Sequence, residues 1–243
     1  MQSILSAMEL NTMTLQVALV GIDGVVVASD RLLQQWEMDR THSGYSLSLS
    51  SKFDQHNDFV CCASGDKISE LTSSLICQLN WDDAQADVKA SLNAAAKDAW
   101  SRFDNPAAFP PIIRKVIIIC PDRSAWILDT TSHEAPFTNR ILNKVVAGDI
   151  KNTARHIINN YLPNDEAPLA LPISKLIVPA AHAVLMGGRE NPTGVGGIEI
   201  IVIPKTASPM VLPPELERRI TAISERIYRS TKKQILQQFD YMV

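Results

Sequence analysis

No stretch of this chain approaches the ~18 consecutive apolar residues that a membrane-spanning helix requires, so no membrane association is expected from it. Concentrated positive charge is scarce too. The chain has 23 Lys and Arg against 26 Asp and Glu, for a formal net charge of −3. That balance lacks the electrostatic footprint of a nucleic-acid-binding protein. Cysteine is limited to Cys61, Cys62, Cys77 and Cys120, with no C-x-x-C pair and no histidine beside them at zinc-ligand spacing. Neither a metal site nor a disulfide framework is expected, and a reducing compartment is the simplest setting. The opening MQSILSAMELNTM has no basic n-region and no long apolar run, unlike a secretory signal. Gly194, Gly196 and Gly197 are not followed by the Lys-Ser/Thr of a phosphate loop. A cytoplasmic protein is the resulting expectation.

What is present is enough for a substantial core: 243 residues, 46% of them hydrophobic. Leu15–Val20 and Gly24–Ser29 are β-branched runs joined by Ile22-Asp23-Gly24, which predicts a hairpin. Tyr45–Ser50 and Phe59–Ala63 read as further strands. Apolar residues at helical spacing follow from Asp66 to Asn80, and Asp82 is expected to cap a second helix reaching Phe103. Asn105–Pro111 reads as a proline-rich loop. Val116–Cys120 and Ala125–Asp129 predict strands across a Pro-Asp-Arg-Ser turn. Asp149–Leu162, Ser174–Met186 and Pro213–Phe239 read as helices, and Val195–Ile203 as a strand. No linker divides the chain. Two sheets packed together, with helices on both outer faces, suit this order. Adjacent Cys61 and Cys62 in a strand should point to opposite faces and serve packing.

The segment Thr14-Leu-Gln-Val-Ala-Leu-Val-Gly-Ile-Asp-Gly-Val-Val-Val-Ala-Ser-Asp30-Arg31 resembles the opening of proteasome β-type subunits of the N-terminal nucleophile (Ntn) hydrolase superfamily. Thr14 and Asp30 stand sixteen residues apart, as nucleophile and aspartate do in that family. Lys52-Phe53 and Ala63-Ser64-Gly65 resemble the features that follow. The resemblance implies an α+β, four-layer αββα sandwich spanning residues 14–243, preceded by an extension or propeptide at 1–13. It also implies a threonine-type peptide or amide hydrolase acting without a cofactor. Thr14 would be the nucleophile, Asp30 and Lys52 would tune it, and the Gly65 N–H would serve the oxyanion. A threonine hydroxyl needs an adjacent base, and an α-amine at Thr14 would supply one after removal of residues 1–13. The same resemblance implies a homo-oligomer, ring-shaped in the family, acting on peptides or proteins and served by an ATP-dependent unfoldase.

The sequence departs from that pattern in three places. Thr14 is internal and follows Met13. A family Gly-Ser-Gly is matched by Val146-Ala147-Gly148-Asp149, without its serine. A family aspartate before a glycine-rich strand entry would have to be replaced by Glu190 or Asn191. These departures motivate two alternatives: a catalytically inactive structural subunit, and an amidase for small molecules.

Overall fold

The computed structural model describes residues 14–38, 43–103, 112–148, 151–163, 167–192 and 195–240, with side chains described outside 33–47 and 235–240. The expected extension at 1–13 and the loop Asn105–Pro111 lie outside the described residues. The first half contains β1 (Leu15–Gly21), β2 (Gly24–Ser29), β3 (Leu32–Met38), β4 (Ser43–Leu49), β5 (Phe53–His56) and β6 (Phe59–Ser64). Three helices follow: α1 (Lys67–Cys77), a single turn α2 (Trp81–Ala84) and α3 (Val88–Ser101). The second half contains β7 (Lys115–Ile119), β8 (Ala125–Asp129), β9 (Phe137–Ile141), β10 (Lys144–Gly148), α4 (Asn152–Tyr161), α5 (Ile173–Glu190), β11 (Glu199–Pro204), β12 (Met210–Val211) and α6 (Pro214–Asp240).

The strands form two five-stranded antiparallel sheets, ordered β10-β1-β2-β11-β12 and β5-β6-β7-β8-β9, and a separate ribbon β3-β4. The expected hairpin is β1–β2, closing with Gly21 opposite Gly24. Its strands and β6 are apolar almost without alternation because both faces are covered. Odd-numbered Leu15, Val17 and Leu19 of β1 pack with α4, α5 and α6. Ala18 of the same strand joins Val60, Cys62, Ile117 and Ile119 between the sheets. Cys61 faces the other way, into a core with Ile76 of α1 and Leu92 of α3. Period-two alternation thus separates the two cysteines as expected.

The four-layer Ntn-hydrolase sandwich is corrected to an α+β arrangement of two five-stranded antiparallel sheets, a ribbon and helices. That expectation came with the proteasome resemblance; the element order read from the sequence had left β3, β5, β9, β10 and β12 unread. Several of these strands carry no apolar run: β5 is Phe-Asp-Gln-His, and β9 (Phe-Thr-Asn-Arg-Ile) buries only Thr138 and Ile141, without a regular alternation. The second expected helix is also divided. Asn80, not Asp82, accepts the capping N–H of α2 (Asp82 N, 3.1 Å), a 3₁₀ turn spans Gln85–Asp87, and Asp87 caps α3 through Ala90 N (2.9 Å). The α5 helix starts at Ile173 and runs through Pro179.

Candidate functional site

The start of β1, the end of β2 and the entry to β5 converge on one buried polar group. Thr14, Asp30 and Lys52 are 1%, 0% and 9% exposed. The Lys52 ammonium donates to Thr14 Oγ1 at 3.1 Å and to both carboxylate oxygens of Asp30 at 2.9 Å. An ammonium has three N–H donors, so these three acceptors match its capacity. Asp30 is itself held by two backbone donors, Leu15 N to Oδ1 (2.8 Å) and Leu32 N to Oδ2 (3.1 Å). The carboxylate therefore clips the start of β1 to the chain leaving β2, and Asp30 N returns a bond to the Leu15 carbonyl (3.1 Å). Burial pushes the Asp30 carboxyl above the usual value; the Lys52 charge and the two N–H groups oppose that shift.

Lys52 is placed by the β5–β6 pairing, because Ala63 N donates to the Lys52 carbonyl (3.1 Å). Gly65 lies two residues farther along, at the end of β6, with φ +123°. A Cβ there would meet Arg114 Cγ at 3.1 Å and the Ile113 carbonyl at 3.2 Å, so the position calls for glycine. The next residue, Asp66, caps α1 through Ile68 N (3.1 Å) and receives Arg114 Nε at 2.9 Å and Nη2 at 2.7 Å. Arg114 is almost wholly buried, with its guanidinium 5.2 Å from the Trp100 ring centroid. The Gly65 turn is thus anchored from β7. Thr14, Asp30 and Lys52 are joined by direct side-chain bonds, whereas Gly65 is brought to the flanking strand by backbone pairing.

Two contributors have no clear signature in the sequence. Gly148 (φ +108°) lies opposite Leu15, and a Cβ on it would stand 1.7 Å from the Thr14 carbonyl oxygen. It belongs to the stretch that stands out in the sequence only for its missing serine. Arg114 sits 48 residues from Asp66, a separation that no local pattern exposes. Of the two residues considered as a replacement aspartate, Glu190 accepts a hydrogen bond from the Thr153 hydroxyl. Asp149 lies outside the described residues.

No family model matches the chain, and no curated protein does. Solved structures do. Anbu (ancestral beta-subunit) from Yersinia bercovieri superposes with a TM-score of 0.64 at 12% identity, over 92% of this chain and 97% of that one. The helical assembly of the Anbu complex from Pseudomonas aeruginosa gives 0.63 at 13%, over 92% and 96%. An Anbu (Gly-1) mutant from Hyphomicrobium sp. strain MC1 gives 0.58 at 12%, over 90% and 97%. The assignment to proteasome β-type subunits is corrected by these likenesses, because Anbu proteins are a proteasome-like but distinct family. The opening motif misled for a physical reason: an aspartate at the end of the hairpin, opposite the start of β1, is what the clip to Leu15 N and Leu32 N needs, whichever family carries it. At such identities the likeness establishes the fold alone, which is the one these Anbu structures share.

Proposed function

We propose that this chain is a threonine-type peptide or amide hydrolase whose nucleophile, Thr14, gains an α-amine when residues 1–13 are removed. The observation that carries the reading is the Lys52 ammonium, 3.1 Å from Thr14 Oγ1 and gripped by a buried Asp30. A fixed positive charge at that distance favours the neutral form of a nearby amine and stabilises negative charge developing on the hydroxyl oxygen. In the proposed cycle the amine takes the Oγ1 proton as Oγ1 attacks the substrate carbonyl carbon. The oxyanion receives the Gly65 N–H, and the proton passes to the leaving nitrogen as the C–N bond breaks. Water then hydrolyses the Thr14 ester, with the amine again as base. The steps consume one water per amide and no cofactor.

Release of Thr14 has two routes. Translation starting at Met13 with methionine removal would expose it. So would attack of Thr14 Oγ1 on the Met13 carbonyl carbon: the Met13–Thr14 C–N bond breaks as the acyl group passes to Oγ1, and one water then hydrolyses that ester and releases residues 1–13. Self-assembly is extended to this chain from the helical assembly described for the Pseudomonas aeruginosa Anbu complex. A peptide or protein substrate and an ATP-dependent unfoldase complete the reading. Among the described residues no helix is long and apolar enough to cross a membrane.

Intact mass and terminal sequencing of protein from its own host test the first step: a chain beginning at Thr14 is expected. Thr14→Ala should then reduce peptide hydrolysis to background without altering assembly, and persistent hydrolysis would rule the mechanism out. One observation favours a second reading, an inactive subunit. Ala147 and Gly148, which pair with Gln16 and Leu15 beside Thr14, offer no hydroxyl to support an amine. A chain that retains residues 1–13 and hydrolyses no peptide would establish that alternative.

A further inference from the structure

The far end of β1 carries a second polar cluster. Val20 and Gly21 line an open cavity of about 480 Å³ together with the β7–β8 turn, the end of β9, Pro168 and Lys205. Six residues of extended strand separate Val20 from Thr14, so the cavity lies ~20 Å from the Thr14 hydroxyl. Three of its lining residues are cationic, Arg123, Arg140 and Lys205, against one carboxylate, Asp122. This excess of positive charge stands in a chain of net charge −3.

None of the three cations is neutralised within ion-pair distance by a described carboxylate. Asp122 Oδ1 is already engaged by Ser124, through its N–H (2.9 Å) and its hydroxyl (2.6 Å). Lys205 Nζ donates to the Ile22 carbonyl (2.7 Å), which orients the ammonium and leaves its charge in place. Arg123 Nη2 donates to the Ala207 carbonyl (3.1 Å), whereas its Nε and Nη1 are out of solvent contact and have no acceptor. Buried donors without partners are uncommon and destabilising. Arg123 also holds φ +67°, a backbone conformation that favours Gly, Asn or Asp. A plain turn would need neither the strained arginine nor its unmatched nitrogens.

We infer that this cavity is a binding site for a small multivalent oxyanion, a phosphorylated or polycarboxylate molecule of metabolite size. Guanidinium groups match the oxygens of both chemistries, and the ammonium adds a point charge. The volume falls within the range of small-ligand pockets. The site is independent of Thr14 chemistry.

Calorimetric titration of the full chain with pyrophosphate, and separately with citrate, tests the inference at fixed ionic strength. Saturable one-site binding of at least one probe is expected. Pyrophosphate alone would assign the phosphate class, and citrate alone the carboxylate class. Arg140→Gln, at an exposed position, should weaken binding about tenfold or more, and Arg123→Gln likewise. Arg229→Gln, on exposed α6 surface, should leave binding unchanged. Absence of saturable binding by both probes would overturn the site, as would unaltered binding in Arg140→Gln. Equal weakening in Arg229→Gln would reduce it to diffuse attraction and overturn it too.

Discussion

The two ends of β1 handle charge in opposite ways. At the Thr14 end, one cation and one carboxylate are buried together with every ammonium donor matched. At the Gly21 end, three cations surround an open cavity and Arg123 keeps two unmatched nitrogens. Both ends are built on the same hairpin, so strand propensity does not explain the difference. Closure does. A buried charge must find its partner within the protein, whereas a charge at an open rim, such as that of Arg140, can be left to solvent; the buried Nε and Nη1 of Arg123 are the exception at that end. The Thr14 end should therefore punish substitution heavily, and the Gly21 end should punish it little.

The largest expected effect is on chemistry at the closed end. Lys52→Met keeps the length of the side chain and removes the ammonium, and should lower peptide hydrolysis by on the order of 10²–10⁴-fold. Steady-state rates on a processed chain measure this. A loss of less than tenfold would mean that the 3.1 Å contact is structural only. Next comes Asp30→Ala, which leaves the Lys52 ammonium buried without its partner and frees the Leu15 and Leu32 N–H groups. The expected cost is ~3–5 kcal/mol, or roughly 6–20 °C in Tm for a chain of this size. At the other end Arg140→Gln, in the absence of ligand, should stay within about 0.5 kcal/mol. Thermal unfolding of the two variants side by side would break the comparison if their losses were similar.

The closed end is partly legible in the amino-acid sequence. The hairpin can be read because two β-branched runs flank Asp-Gly, and Asp30 because it ends the second run. Lys52 can be located although the ribbon strands β3 and β4 lie between it and Asp30, since Phe53 and the strand to Gly65 follow in order. The contributions of Arg114 and Gly148 are not legible. Each depends on a strand from the other half of the chain reaching the site, and pairing between distant strands leaves no local periodicity. The Gly21 end is hidden for the same reason. Arg123, Arg140 and Lys205 come from the β7–β8 turn, the end of β9 and the residue after β11, and Pro-Asp-Arg-Ser announces only a turn. The split between α2 and α3 is masked by an excess of capping residues: Asn80, Asp82, Asp83 and Asp87 all suit a helix start, and local geometry chose the first and last.

Gly148→Ala would sharpen the comparison from the backbone side. The added methyl would meet the Thr14 carbonyl at 1.7 Å, and the residue would have to keep φ +108°. Either the β1–β10 pairing opens or Thr14 shifts away from Lys52. The expected cost is roughly 1–3 kcal/mol, accompanied by a fall in hydrolysis larger than the stability change alone would produce. An active variant of unchanged Tm would show that the approach of β10 does not position Thr14.

A smaller effect than those at the Thr14 end concerns a third treatment of buried polarity, a pair with no obligatory charge. His182 of α5 and Ser224 of α6 are buried, with His182 Nδ1 and Ser224 Oγ 2.7 Å apart. Burial lowers the His182 pKa below 6.5, and Glu225 opposes the shift. The folded state therefore prefers the neutral ring. Well above pH 6.5 both folded and unfolded chains carry it neutral, and the contribution is fully present. As pH falls below 6.5 the unfolded chain takes up the proton first, so stability declines until the folded-state pKa is passed. Tm should thus fall between about pH 7.5 and 5 more steeply in the wild type than in His182→Gln. Glu225→Gln should steepen the wild-type fall, because it removes the charge that favours protonation. Ser224→Ala should cost about 1 kcal/mol near neutral pH by leaving Nδ1 without its partner. Parallel pH profiles for wild type and His182→Gln would mean that the ring titrates alike in the folded and unfolded chains, and that the α5–α6 contact does not respond to pH.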